Sequence, residues 1–380
     1  MIQPTNPFPT TAYIGPDYFC NRSSETTRLL RDLTNGQSVT LTSIRRIGKT
    51  GLIRHVLSQL PKSCKGIYVD ILGTENLNSF FNVLATAAIN SVPETSAPGK
   101  KLWQLIRAIR PIFSIDPMTG FPQISVEFKP HETNHHIESI LRFLDSQPQK
   151  IIIAIDEFQQ ILHYPEKNTD AWLRSIIQTL TNVAFVFSGS QQHLMMDLFS
   201  NPGRPFFRST GFMKIGKLSC TDYQAFILKH FHQHERIITD VVAGEMINWA
   251  QCHTYYVQLI CNRVFISGAS EITTEIWMEE AFKLLKEQEM VFINYRDLLT
   301  IQQWQLLKAI AAEETVFTPT ANDFVTKYRL GSPSTVLRSL KSLTESELVY
   351  QDYTPEGKSF FGVYDILLQR WVQNYSFNQL

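Results

Sequence analysis

The stretch LTSIRRIGKTGLI, residues 41–53, decides how the rest of the chain is read. It closes with Gly48-Lys49-Thr50 running into an apolar helical pattern (Leu52, Ile53, Val56, Leu57, Leu60) that Pro61 ends. A β-branched run, SVTLTS (38–43), leads into it. Strand, loop, Gly-Lys-Thr and helix is the order of a phosphate-binding loop, whose usual pattern is G-x-x-x-x-G-K-[ST]. Ser43 stands where that pattern has its first glycine.

The residue types in the loop match what a triphosphate needs. Backbone N–H groups wrap the phosphates, and the helix N-terminus adds its dipole. Lys49 neutralises the β and γ groups, Thr50 offers its hydroxyl to Mg²⁺, and Gly48 is where a Cβ would obstruct the wrap. Ser43 sits at the mouth of the loop, where it needs only a compatible turn, so its presence reads as a modest departure. Arg45, Arg46, Ile47 and Gly51 complete the candidate nucleotide-binding set. The two arginines are suited to phosphate, to a neighbouring subunit or to the protein's own acids. The last is favoured for at least one, because Lys49 with Mg²⁺ already balances a triphosphate.

A second motif supports the first. KIIIAIDEFQQI (150–161) is an unbroken apolar strand that ends in two carboxylates, Asp156 and Glu157. Strand ends of a parallel sheet are where ligands collect. Asp156 is expected to hold Mg²⁺ through water, and Glu157 to polarise an attacking water. A third strand, NVAFVFSGS (182–190), ends in Ser188, Gly189 and Ser190. Ser190 is placed to touch a γ-phosphate or the lytic water, and it also suits the N-cap of the helix that follows; the two roles are compatible.

Strands at 38–43, 65–72, within 150–161 (ending at Asp156-Glu157), 182–190 and 211–218 alternate with helical patterns at 50–60, 77–91 and 137–146. The alternation predicts an α/β fold with a doubly wound parallel sheet over residues 1–218. The segment 92–136 breaks the rhythm. Its PIFSIDPMTGFPQISVEF (111–128) reads as a β-hairpin insertion around a Pro-Met-Thr-Gly turn. Residues 219–298 read as a small helical domain, and 299–380 as a third unit. In HFHQHE (230–235) only His230 and His234 share a helical face, too few for a metal site.

These motifs resemble the AAA+-like P-loop ATPases of the archaeal-ATPase branch, related to the signal-transducing STAND NTPases. The similarity spans about residues 12–375, and the twin arginine of RRIGKT is typical of the branch, which usually reads G-P-R-R-x-G-K-T. The segment YFCNRSSETTRLL (18–30), with Arg22, resembles the aromatic-x-x-R-x-x-E segment that in this family packs against adenine. The resemblance implies ATP and Mg²⁺ as ligands. Two departures stand out. The family often carries an arginine after the strand at 182–190, in P-L-Y-G-R; here Ser209 occupies that place in NPGRPFFRST (201–210). Arg204 and Arg208 flank it, each either a finger toward a γ-phosphate or a solvated loop arginine. The family's Gly-x-Pro motif in the helical domain corresponds to QCHTYYVQL (251–259), which retains His253 but has Thr254 for proline.

The C-terminal helical patterns at 304–314, 321–330 and 332–349, followed by LVYQDY and SFFGVYD around a Pro-Glu-Gly turn, resemble a winged helix. Ser332 suits the N-cap and Pro333 the first turn of its third helix. That helix would enter a DNA major groove, with Arg338 and Lys341 toward phosphate and Ser334 toward a base edge. Yet residues 301–380 carry seven Lys+Arg against eight Asp+Glu, a net −1 that suits a protein partner or domain docking better than DNA.

Composition agrees with a folded chain of zero net charge. Lys+Arg and Asp+Glu are 35 each, so no global field draws nucleic acid. No apolar run reaches the roughly 18 residues of a membrane span. The N-terminus lacks a signal-peptide pattern, and the five scattered cysteines form no C-x-x-C pair. A cytoplasmic, reduced setting without membrane contact is expected. Two readings follow: an ATP-hydrolysing molecular switch whose nucleotide state arranges its domains, with a protein partner or a second copy; or an ATP-dependent DNA-binding protein.

Overall fold

The computed structural model describes residues 5–92, 94–109, 111–117, 120–128, 130–354 and 356–377. They form two compact units, one of Thr11–Lys217 and one that joins the described part of residues 1–10 to the chain from Leu218 onward.

In the first unit the strands are, in chain order, β1 (Val39–Thr42), β2 (Cys64–Asp70), β3 (Ile112–Ile115), β4 (Pro122–Ser125), β5 (Lys150–Asp156), β6 (Val183–Ser188) and β7 (Gly211–Lys214). Five of them make one parallel sheet in the order β2-β5-β6-β1-β7. β5 and β6 lie inside it, and their apolar runs are buried on both faces, as a covered parallel sheet requires. Helices α1 (Ser23–Thr34), α2 (Lys49–Ser58) and α3 (Leu77–Ser91) precede and follow the first two strands. Asn76 and Ser79 close a reciprocal capping box at the start of α3.

The insertion is a hairpin: β3 and β4 pair antiparallel with Ile112 opposite Ser125 and Ile115 opposite Pro122. Met118 and Thr119 of its expected turn lie outside the described residues. Asn78 and Asn82 of α3 fasten β4's end through bonds to Val126 and Phe128. The same segment also holds a helix, Ala97–Ala108, which the sequence reading passed over. Ser96 caps it by accepting from Gly99 N at 3.0 Å.

The second unit begins with helices Cys220–Gln233, Asp240–Trp249, Thr254–Ile266 and Thr274–Leu298. The chain's start belongs here rather than with the sheet. Phe8 is fully buried against the rings of Phe226, Phe231 and Phe265, and across this contact the Asn6 side chain donates to Asn262 O while the Asn262 side chain donates to Phe8 O. Cys220 and Cys252 form a disulfide, which corrects the expectation drawn from their scatter. They are 32 residues apart, and only the packing of the first two helices brings their Cα atoms to 6.0 Å.

Helices Ile301–Glu313, Asn322–Lys327 and Pro333–Glu345, then the antiparallel pair Val349–Tyr353 and Ser359–Val363, make the winged helix. Ser332 caps the third helix by accepting from Thr335 N at 3.3 Å, with Pro333 in its first turn. Pro355 of the wing turn lies outside the described residues. A further helix, Ile366–Phe377, packs Trp371 on Phe292 at 5.6 Å, and Arg370 donates to the carbonyl of Trp249 at 3.0 Å. The winged helix and the helical bundle therefore share a core. Among the described residues no helix is long and apolar enough to cross a membrane.

Candidate functional site

Register brings the motif ends together. Leu41 pairs with Ser188, and Ile155 with Phe187, so β1, β5 and β6 finish side by side at the carboxyl edge of the sheet. The loop leaving β1 turns through Arg46 (φ 59°) and Gly48 (φ 99°) before α2 begins at Lys49. Gly48 tolerates that left-handed φ because it has no Cβ.

Lys49 is 6% exposed, and its Nζ donates to Ser43 Oγ at 3.1 Å. Ser43 spends its own proton on Ile44 O at 2.8 Å and so presents a lone pair to the lysine. Sequence reasoning put Ser43 at the mouth of the loop; the structure buries it beneath Lys49. Burial holds the Lys49 ammonium below its ordinary pKa, the carboxylates of Glu157 and Asp156 oppose that shift, and the Arg45 charge adds to it. Arg46 is exposed and Ile47 fully buried.

Asp156 is 3% exposed and fully engaged. Its Oδ2 accepts from Thr50 Oγ1 at 2.7 Å and from the Tyr68 hydroxyl at 2.9 Å. Its Oδ1 accepts from Ser188 Oγ and from the Glu157 N–H at 3.1 Å. Burial, then the Asp156 charge, pushes the Tyr68 phenol well above its ordinary pKa and keeps it a donor. The Arg54 guanidinium lies 4.0 Å above the same ring.

Glu157 is placed differently. The chain passes it in a left-handed turn (φ 57°) before a short 3-10 helix, Phe158–His163, anchored by the buried Phe158 ring against Phe187 at 4.5 Å. One carboxylate oxygen, Oε2, accepts from Gln159 Nε2 at 2.6 Å, Ser190 Oγ at 2.7 Å and Ser190 N at 3.1 Å. The other, Oε1, has no hydrogen-bond partner among the described residues.

Around the loop, Arg22 is 3% exposed and committed. It donates to Ile47 O at 3.0 Å and Gly216 O at 2.8 Å and pairs with Glu25 at 2.9 Å, so it braces the loop's backbone. The Phe19 ring would touch a Cβ on Gly51 at 3.5 Å and stacks on His55 at 4.2 Å, an aromatic surface beside the start of α2. Arg204 is held by Asp197 at 2.5 Å. Arg208 is exposed and lies over its neighbour Phe207 at 5.1 Å, with no ion pair among the described residues. His253 is buried against Tyr256.

The structure thus unites Ser43, Lys49, Thr50, Asp156, Glu157 and Ser190, and it turns Arg22 to a bracing role. Sequence reasoning missed Tyr68, Ser188 and Gln159 as partners of the two acids. Strand register brings Tyr68 and Ser188 to Asp156, and the tight turn after β5 brings Gln159 back to Glu157 two residues before it.

A phosphate-binding loop on a parallel sheet, with an acid pair at the end of β5 and serines at the end of β6 between them, defines a P-loop nucleoside-triphosphatase core. Residues 19–241 match the family described as an ATPase domain predominantly from Archaea, and residues 290–374 match a probable winged helix domain. The chain belongs to that ATPase family, whose domain binds and hydrolyses ATP. A comparison with curated proteins finds no match. Among solved structures it is similar to the Walker-type ATPase paby2304 of Pyrococcus abyssi (15% identity, TM-score 0.64, covering 97% of this chain and 99% of the other). It is also similar to the ORC2 protein of Aeropyrum pernix in ADPNP–ADP complexes (14%, 0.58, 97% and 98%). The ORC1 protein of the same organism, solved with DNA, is more distant in shape (14%, 0.50, 96% and 95%). At these identities the likeness is one of fold.

Proposed function

We propose that the protein is a Mg²⁺-dependent ATPase working as a molecular switch, in which nucleotide state sets the arrangement of its domains. One observation carries the reading: two adjacent carboxylates are given opposite environments. Asp156 has its oxygens filled by four donors, one of them Thr50, while Glu157 is pinned at Oε2 and open at Oε1. Thr50 and Asp156 are a hydroxyl and a carboxylate 2.7 Å apart, a donor set that fits a small hard cation. Such a cation, when bound, neutralises charge on the transferring phosphoryl group. Lys49 balances phosphate charge, and Glu157 takes the proton of the attacking water as its oxygen bonds to the γ-phosphorus and the bridging P–O bond breaks. Of the two candidate finger residues, Arg208 is the better placed to reach another molecule, since Asp197 occupies Arg204.

The test separates binding from chemistry. Lys49→Ala should weaken ATP binding. Glu157→Gln should keep binding and lower turnover by roughly 10²-fold or more. Equal hydrolysis by wild type and Glu157→Gln, in preparations cleared of other ATPases, would sink the assignment.

A second reading, ATP-dependent DNA binding, draws on Arg338, which is exposed and has no ion pair among the described residues, and on the DNA-bound ORC1 relative. Against it, Lys341 lies 3.8 Å from Glu345, and Leu337 is 57% exposed on the same helix, an apolar group suited to a protein surface. Duplex binding should be weak, of little sequence preference and lost by about 200 mM salt. Tight, sequence-selective binding that an Arg338→Ala/Lys341→Ala variant abolishes would reverse the order of the two readings.

A further inference from the structure

We infer that Gln159 is a positioning residue for hydrolysis, forming with Ser190 a clamp that aims the Glu157 carboxylate, and that Gly189 is glycine to make room for it. The inference rests on the reading of Glu157 as the base and adds the device that sets it.

The Gln159 side chain is 4% exposed, and its amide lies against the end of β6. A Cβ on Gly189 would come within 2.0 Å of Gln159 Oε1 and 2.7 Å of Met195 Sδ. Gly189 has no positive φ, so backbone freedom does not explain it; close approach does. The amide gives its N–H to Glu157 Oε2 at 2.6 Å, while its own oxygen is buried with no hydrogen-bond partner. Reversing the amide would set two oxygens face to face. Stability alone would favour an apolar side chain of this size, because an unpaired buried acceptor is costly. Retaining the amide makes sense if the bond to Glu157 is its purpose. Together with the two donors of Ser190, it collects three hydrogen bonds on one carboxylate oxygen and leaves the other for the water's proton.

Gln159→Leu discriminates a positioning role from a packing role. It keeps the bulk, deletes the donor and removes the orphaned acceptor. The melting temperature should hold or rise, nucleotide affinity should stay within about twofold, and kcat should fall roughly 10–100-fold, the scale of a misplaced catalytic group. Gly189→Ala should give a similar kcat loss by displacing the amide, with no further loss when combined with Gln159→Leu. In a Glu157→Gln background, Gln159→Leu should cost nothing more, since the clamp acts through that carboxylate. Loss of turnover in Glu157→Gln with wild-type kcat in Gln159→Leu would overturn the clamp alone. Wild-type turnover in Glu157→Gln would overturn the base assignment and the clamp with it.

Discussion

Ser43 and Lys49 show how the loop is kept ready. The serine hydroxyl offers the buried ammonium an acceptor where a glycine would offer none. Ser43→Gly removes one hydrogen bond and should change nucleotide affinity by less than about 1 kcal/mol. Gly48→Ala forces a Cβ into a left-handed φ of 99° and should cost about 1–2 kcal/mol in backbone strain before any obstruction of phosphate. Titration calorimetry of both variants checks the contrast. The depressed pKa of Lys49 adds a pH dependence of definite sign. Between its lowered value and the ordinary 10.5, the unfolded chain holds a proton that the folded chain has released, so this group makes stability rise with pH there. Nucleotide binding runs the other way. Phosphates favour the ammonium, binding takes up a proton in that window, and affinity should fall with rising pH by at most about tenfold per unit. Lys49→Arg should flatten this slope, which calorimetry in buffers of different ionisation enthalpy would detect as lost proton uptake.

At the scale of elements, the helix behind the loop is seated by contact with β2. Gly66 lets α2 approach: a Cβ there would lie 2.9 Å from Leu57 Cδ2 and 3.3 Å from Leu57 Cβ, and the latter atom is too near the backbone to move aside. Gly66→Ala should lower stability by about 1–3 kcal/mol through overpacking, read as a reduced denaturation midpoint with an unchanged slope. Because α2 begins at Lys49, nucleotide affinity should fall as well. The strands themselves were legible. β5 is apolar from Ile151 to Ile155 and β6 from Val183 to Phe187, unbroken runs of the kind an interior parallel strand buries on both faces. The helix Ala97–Ala108 was not, since it sits in a segment whose Pro and Gly residues break the pattern, and only its packing shows it as a helix.

At the scale of the whole molecule, the chain's second unit binds the helical bundle and the winged helix into one body. Trp371 packs on Phe292, and Arg370 reaches the carbonyls of Trp249 and Asn248 while pairing with Glu314. Cutting at residue 299 would strip the cover from Phe292, which is 1% exposed, whereas cutting at 217 follows the division between the units. A fragment of residues 11–217 should therefore unfold cooperatively. A chain ending at 298 should aggregate or melt well below the intact protein. Thermal denaturation followed by circular dichroism checks both.

Some of this was written in the sequence and some was not. Gly48-Lys49-Thr50 and Asp156-Glu157 declare themselves because local order carries their chemistry: a loop between strand and helix, and acids at the end of an apolar run. The winged helix shows itself in the same way, by helix periods, a serine cap and a proline in the first turn. What only the tertiary structure decides is which groups meet. Strand order places β6 between β1 and β5, and register then delivers Ser188 to Asp156 and Ser190 to Glu157. Tyr68 reaches Asp156 from a strand 88 residues away in sequence, Cys220 finds Cys252 across two helices, and Phe8 packs in a core formed more than 200 residues later. Such pairings depend on how buried surfaces fit, and no local pattern of side chains encodes that.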